Sequence, residues 1–160
     1  MSSTVFHLEM LSPSELKPAV IRPGFEFVEI CSASESSRLY REVGGSWQWE
    51  DRLPWSPEKW EHLVSSPAVI TWHVFFNGEE VGYVEVERQA EGSVEIVYFG
   101  LLPRMIGKGL GGGMLTLVVR RVWEMDGTER VWLHTCTEDH PVARANYEKR
   151  GFRLFRTEVV

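Results

Sequence analysis

The sequence predicts a single α/β (α+β) domain with a mixed, mostly antiparallel central sheet flanked by helices, and three observations predict it. Val69–Phe76 and Val81–Glu87 are alternating, β-branched and aromatic runs joined by Asn77-Gly78, the strongest short hairpin signal. A third apolar run, Val94–Leu102, is followed by a glycine-rich loop, a helical apolar stripe and a further apolar run, Arg130–Cys136. The 160 residues are 43% hydrophobic and 25% charged and contain no linker, repeat or low-complexity stretch, so one core is expected.

Taken in order, Val5–Leu11 alternates weakly and predicts a first strand, and Ser12-Pro13-Ser14-Glu15 a turn or short helix start. Phe25–Ile30 reads as a strand, and a helix is expected from Ser34 or Glu35 to Val43, ended by Gly44-Gly45. Trp47, Trp49 and Trp55 fall in loop-like sequence. Ser56-Pro57-Glu58 then opens a helix with a capping hydroxyl, a first-turn proline and an early acid. Trp60, Leu63 and Val64 supply its apolar face. After the hairpin, Glu91-Gly92-Ser93 turns the chain into Val94–Leu102, whose end is apolar on both faces, as in a central strand. Gly100 and Pro103 weaken ladder pairing there and predict a bulge or a divergence from the neighbouring strand. Leu110, Met114, Leu117, Val118 and Val122 form one helical stripe ended by Asp126-Gly127. A buried strand at Arg130–Cys136, a helix at Pro141–Arg150, Gly151 as its terminator and a strand at Phe152–Val159 complete the chain.

The formal net charge of −6 argues against a nucleic-acid partner and mildly favours cationic substrates. No run approaches the roughly eighteen apolar residues of a membrane span, and Met1-Ser2-Ser3-Thr4 lacks the parts of a secretory signal, so a cytoplasmic location is expected. Cys31 and Cys136 make no disulfide framework, and no metal-ligand spacing is visible.

Functional information concentrates in Leu101-Leu102-Pro103-Arg104-Met105-Ile106-Gly107-Lys108-Gly109-Leu110-Gly111-Gly112. Glycines at a helix start let backbone N–H groups face outward and hold phosphate oxygens. The run satisfies G-x-G-x-x-G, but a nicotinamide-dinucleotide fold would place it after the first strand with several βα units to follow. Here a meander precedes it and about fifty residues follow, an arrangement for which that fold has too little chain. A nucleotide P-loop fails as well, because Lys108 is followed by Gly109.

The ordered set resembles the GNAT superfamily of N-acetyltransferases over roughly Ile70–Phe155. Leu101-x-Pro103 and Ile106-Gly107-Lys108-Gly109-Leu110-Gly111 match that family's Val-x-Pro strand end and its Gln/Arg-x-x-Gly-x-Gly/Ala turn, with Ile106 at the Gln/Arg position. In His140-Pro141-Val142-Ala143-Arg144-Ala145-Asn146-Tyr147-Glu148-Lys149-Arg150-Gly151-Phe152, the alanine, tyrosine, glycine and phenylalanine match the second block. His140 and Asn146 replace that block's asparagine and leucine.

The resemblance implies acetyl-CoA as co-substrate, no metal, an amine acceptor, an acceptor-side part at residues 1–68 and an acetyl-CoA-binding part at 69–160. Diverging central strands would form the acyl-CoA site. Gly107, Lys108, Gly109, Leu110, Gly111 and Gly112 would hold the pyrophosphate, with Ile106, His140 and Asn146 beside the ligand. Phe99, Gly100 and Leu101 would pair with the pantetheine arm. Tyr147, on the same helix face as Ala143, would sit beside the sulfur as general acid; without the family it reads as a packing tyrosine. Glu95, in Glu95-Ile96-Val97-Tyr98, would take the amine proton through water; otherwise it is the exposed side of an alternating strand. Tyr98 and His134 are alternative bases, although His134, sharing a face with Cys136, also reads as a buried histidine. Trp47, Trp49, Trp55 and Tyr98 would line the acceptor site or else serve as core. The function classes weighed are an acetyltransferase, then a non-catalytic acyl-CoA sensor on the same fold, and as a distant third a nicotinamide-dinucleotide binder. An exposed edge of the C-terminal strand would allow a homodimer.

Overall fold

The computed structural model describes every residue except Met1, Ser2, Gln48, Glu138, His140 and Pro141. The strands are β1 (Thr4–Met10), β2 (Phe25–Glu29), β3 (Val69–Phe76), β4 (Glu79–Arg88), β5 (Ser93–Leu101), β6 (Arg130–Cys136) and β7 (Arg153–Val159). The helices are α1 (Ala33–Gly44), α2 (Pro57–Val64), α3 (Gly111–Glu124) and α4 (Ala143–Lys149). The Asn77-Gly78 turn closes the hairpin as expected, both residues taking the positive φ (49° and 82°) that a two-residue connection requires. Trp72 then faces Val84, and Ile70 faces Val86.

Capping fixes the helix starts. The Ser32 side chain accepts from the Glu35 amide at 3.3 Å, which moves the start of α1 ahead of Ser34 to Ala33. Ser56 accepts from the Lys59 amide at 3.2 Å, with Pro57 in the first turn of α2.

Hydrogen-bonded neighbours follow the order β2-β3-β4-β5-β6-β1-β7. The ladders β2–β3, β3–β4, β1–β6 and β1–β7 are antiparallel, and β5–β6 is parallel. The Cα positions group into two compact units. One comprises residues 1–21, 88–96 and 112–160, and holds β1, β6, β7, α4, nearly all of α3 and the first half of β5. Its core is Leu8, Met10, Val118, Val122, Val131 and Leu133. There α3 is tied down by the Ala19 amide donating to Thr116 Oγ1 at 3.0 Å and by the Trp123 indole N–H on Met10 Sδ at 3.4 Å. The other comprises residues 22–87 and 97–111, with β2, β3, β4, α1, α2 and the second half of β5, around Leu39, Tyr40, Val43, Trp60, Val74 and Tyr83.

Two expectations about the central strands need correction. The parallel ladder pairs Ser93, Val94 and Glu95 with Arg130, Val131 and Trp132, and β5 then continues through Leu101 beyond the last of these pairs. That is the loss of pairing expected near Gly100, but it begins earlier. The buried part of β5 is accordingly Val94–Ile96, while residues 97–101 are half-buried rather than apolar core. β6 is not buried on both faces either. Val131, Leu133 and Thr135 are buried, whereas the alternate positions Arg130, Trp132 and Cys136 are half-buried and His134 is exposed, as expected for a strand with one face in the core.

Candidate active site

The turn before α3 is built to present backbone donors. Pro103–Met105 makes one 3-10 turn, closed by the Met105 amide on Leu102 O (2.8 Å) and the Ile106 amide on Pro103 O (3.3 Å). Gly107 and Gly109 then take φ of 83° and 75°, and a Cβ at either would meet nothing within 4 Å. Backbone conformation, not crowding, therefore requires glycine at both. Among the described residues, the amides of Gly107, Lys108, Gly109 and Leu110 donate to no backbone carbonyl. Gly107, Lys108 and Gly109 are exposed, and Leu110 is a buried anchor. Sequence reasoning missed Arg22, whose guanidinium donates to Lys108 O at 3.1 Å and lies 5.1 Å from the Phe76 ring centre. Gly111 and Gly112 open α3 itself, and Gly112 lies against Ala19. The side chain of Ile106 is half-buried, as are Phe99, Gly100 and Leu101 at the end of β5. Asn146 is exposed on α4, and His140 lies outside the described residues.

In the unit containing β6, Glu95 is not the exposed side of a strand; it is 9% exposed and held. Its Oε1 accepts from the Gln89 amide nitrogen at 2.9 Å, and Gln89 Oε1 accepts from the Trp132 indole N–H at 2.9 Å. Its Oε2 stands 3.6 Å from His134 Nε2. His134 was expected to be buried, yet its side chain is 47% exposed. Gln89 and Trp132 could not be singled out in the sequence, since only the register Glu95↔Trp132 brings them to the carboxylate.

Tyr147 is half-buried on α4 and packs edge-on against Phe152, ring centres 6.2 Å apart. Desolvation, with the Asp139 carboxylate adding to it, pushes its phenol above the usual tyrosine value. Asp139 is itself fixed by Thr135 Oγ1 (2.6 Å) and the Cys136 amide (2.9 Å), both donating to Oδ2. The hydroxyl is therefore a hydrogen-bond donor throughout the neutral range.

In the other unit, Trp49, Trp55 and Tyr98 come together, but around a residue of the protein. The Arg52 guanidinium donates to both carboxylate oxygens of Glu85, at 2.6 and 2.8 Å. It lies 4.6 Å from the Trp55 ring centre, 4.7 Å from Tyr98 and 5.5 Å from Trp60. Trp49 packs on Tyr98 at 4.8 Å and on Tyr40 at 5.9 Å. Burial works against the Arg52 charge, yet the bonds to Glu85 hold its pKa above the usual value. Burial likewise raises the Tyr98 phenol above the usual tyrosine value, with Arg52 working against the rise. Trp47 is half-buried, its amide on Gly44 O at 3.0 Å. The signal for this pair was available: Glu85 sits between Val84 and Val86 in an apolar strand, where a carboxylate needs a partner. Among the described residues, no group of three or more His, Cys, Asp or Glu side chains could hold a metal ion, and no helix is long and apolar enough to cross a membrane.

Strand order, the donor-lined turn and the helix that follows it define a class, an α/β fold of the acetyltransferase kind. The sequence model of the acetyltransferase (GNAT) family matches residues 33–152, and the chain belongs to that family. Comparison with curated protein sequences gives no match. Among solved structures, a GCN5-related N-acetyltransferase from Kribbella flavida is similar with a TM-score of 0.68 and 21% identity, over 98% of this chain and 56% of that one. A GCN5-related N-acetyltransferase from Sphaerobacter thermophilus is similar with a TM-score of 0.74 and 17% identity, over 98% of this chain and 50% of that one. An aminoglycoside acetyltransferase from an uncultured soil metagenomic sample, in complex with sisomicin, gives a TM-score of 0.56 and 14% identity, over 76% and 82%. The chain thus spans about half the length of the first two, and at these identities the likeness is one of fold.

Proposed function

We propose that the protein moves an acetyl group from acetyl-CoA to a primary amine by direct attack in a ternary complex, without an acyl-enzyme. The observation that carries this reading is the turn at Gly107–Leu110, whose amides donate to no described backbone carbonyl at the head of a helix, in a member of the GNAT family. Those amides and the first turn of α3, Gly111 and Gly112 included, suit the diphosphate of coenzyme A. Lys108 adds positive charge at the rim. The half-buried Phe99–Leu101 segment suits an amide-bearing arm laid along it as an added strand.

Two side chains divide the proton chemistry. An alkylammonium has a pKa near ~10, so its proton must leave before or during attack, and Glu95 takes it through water. Tyr147 donates a hydrogen bond to the leaving sulfur. Because its phenol is raised while a thiol titrates near ~8.5, complete transfer from it would be uphill. Its role is to stabilise the thiolate until solvent protonates it. Trp49, Trp55 and Tyr98 meet an acceptor only through whatever surface their packing around Arg52 leaves. The net charge of −6 favours a cationic acceptor. A homodimer would form along β7, an end strand with Leu154, Phe155 and Val159 exposed, and sedimentation would detect it.

The test mixes the protein with acetyl-CoA and a panel of amines and follows free thiol. Acceptor-dependent release is the expected result. Calorimetric binding of acetyl-CoA without release would make the protein an acyl-CoA sensor, and binding of NAD in place of CoA would overturn the reading.

A further inference from the structure

Two imidazoles stand between two carboxylates across four neighbouring strands of one unit. Glu95 on β5 faces His134 on β6 at 3.6 Å. The His134 ring is tilted against His7 on β1, its direct register partner, with centres 5.8 Å apart. His7 Nε2 reaches Glu158 Oε1 on β7 at 2.7 Å. Resting on the acetyltransferase reading, we propose that His134 is the residue that relieves Glu95 of the acceptor's proton and passes it to solvent.

Three features of the geometry point there. The two carboxylate oxygens of Glu95 are inequivalent, since Oε1 is held by Gln89 and Oε2 is turned to the imidazole. The Glu95 side chain is 12% exposed and the His134 side chain 47% exposed, so the imidazole is the more solvent-accessible of the two groups. Finally, the 3.6 Å separation puts the two within a small side-chain adjustment of a proton transfer. The same strands carry further charges: Arg130 on Glu9 at 2.8 Å and 5.4 Å from the Trp132 ring, Arg156 on Glu158 at 3.0 Å, and Asp139 past the end of β6.

An N–H bond of the acceptor's ammonium breaks first and that proton reaches Glu95 Oε2 through water, which frees the lone pair. The neutral amine nitrogen then bonds to the acetyl carbon and loses its second proton to water as the adduct collapses. The C–S bond breaks, and the sulfur leaves as thiolate to be protonated by solvent. The new O–H bond on Glu95 then breaks as an N–H bond forms at His134 Nε2, and the imidazolium releases its proton to bulk water. Glu95 is restored to the carboxylate for the next turnover. His134 acts through Glu95 and does not touch the acceptor.

The test uses the whole chain with acetyl-CoA and the best amine of the panel, in dilute buffer near neutral pH. His134→Ala and His134→Gln should each lower kcat roughly tenfold, with the KM for acetyl-CoA unchanged. Added 2-methylimidazole, corrected for the enzyme-free rate, should restore kcat in both variants and not in Glu95→Gln. An NMR titration of the His134 ring should shift to lower pH in Glu95→Gln. Unchanged kcat in both variants, or a loss that the added imidazole does not move, overturns the relay and leaves the acetyltransferase standing. No acceptor-dependent thiol from the wild type overturns both.

Discussion

Glu85 and Glu95 are both carboxylates set in apolar strand sequence, each with a basic side chain beside it, and the two pairs are built oppositely. Glu85 is 1% exposed and takes two hydrogen bonds from a planar guanidinium that three aromatic rings enclose. Glu95 spends one oxygen on a neutral amide and holds the other at 3.6 Å from a half-exposed imidazole. Arginine stays charged at any working pH, so the first pair has one protonation state and serves as a fastening for the 49–55 loop. Histidine changes charge between about pH 5 and 8, so the second pair has several. Chemistry that moves a proton needs the looser arrangement.

The sharpest way to break this contrast is to cut the fastening. Arg52→Ala leaves a buried carboxylate without its two donors and should cost about 3–5 kcal/mol of stability by denaturant unfolding. Arg52→Met combined with Glu85→Leu should recover most of that loss, because an apolar pair of similar volume carries no desolvation penalty. A single-variant cost under about 1 kcal/mol, the level of an exposed pair, would mean that the Arg52 contact is as adjustable as the His134 one. Glu95→Gln probes the other side. It should lower kcat by roughly 100-fold and remove the acidic limb of the pH–rate profile, while unfolding stays close to wild type. A profile with that limb intact would assign the base elsewhere.

The order of elements was legible because each is punctuated locally: Asn77-Gly78, Ser56-Pro57 and Asp126-Gly127 fall where the structure turns or caps. The donor-lined turn was legible for the same reason, since Gly107 and Gly109 occupy φ values that sequence alone suggests. What stayed hidden depends on register and tertiary contact. Gln89 bridges Glu95 to Trp132, which the register sets opposite that carboxylate, and His134 is exposed on the face of β6 that alternates with the buried one. The tryptophan-rich loop showed that something there is aromatic, but not that Arg52 fills the enclosure.

A smaller effect, and a finer comparison, concerns Tyr147 against the tyrosines of the other unit. Burial raises Tyr147, Tyr98 and Tyr83 alike, with Asp139 adding to the first, whereas Arg52 works against the rise at the other two. An unfolded tyrosine loses its proton near pH ~10 and a raised one keeps it, so each contributes stability that is complete below about 10 and is lost as pH climbs toward the folded value. Tyr147→Phe should therefore flatten part of the alkaline fall in stability. In catalysis it should lower kcat roughly tenfold, by the same factor at every pH up to about 10, and leave acetyl-CoA affinity unchanged. An equal loss of affinity would make Tyr147 a binding residue. An alkaline limb below pH ~9 that disappears in Tyr147→Phe would show the phenol ionising in the working range, against the direction that its burial and Asp139 impose.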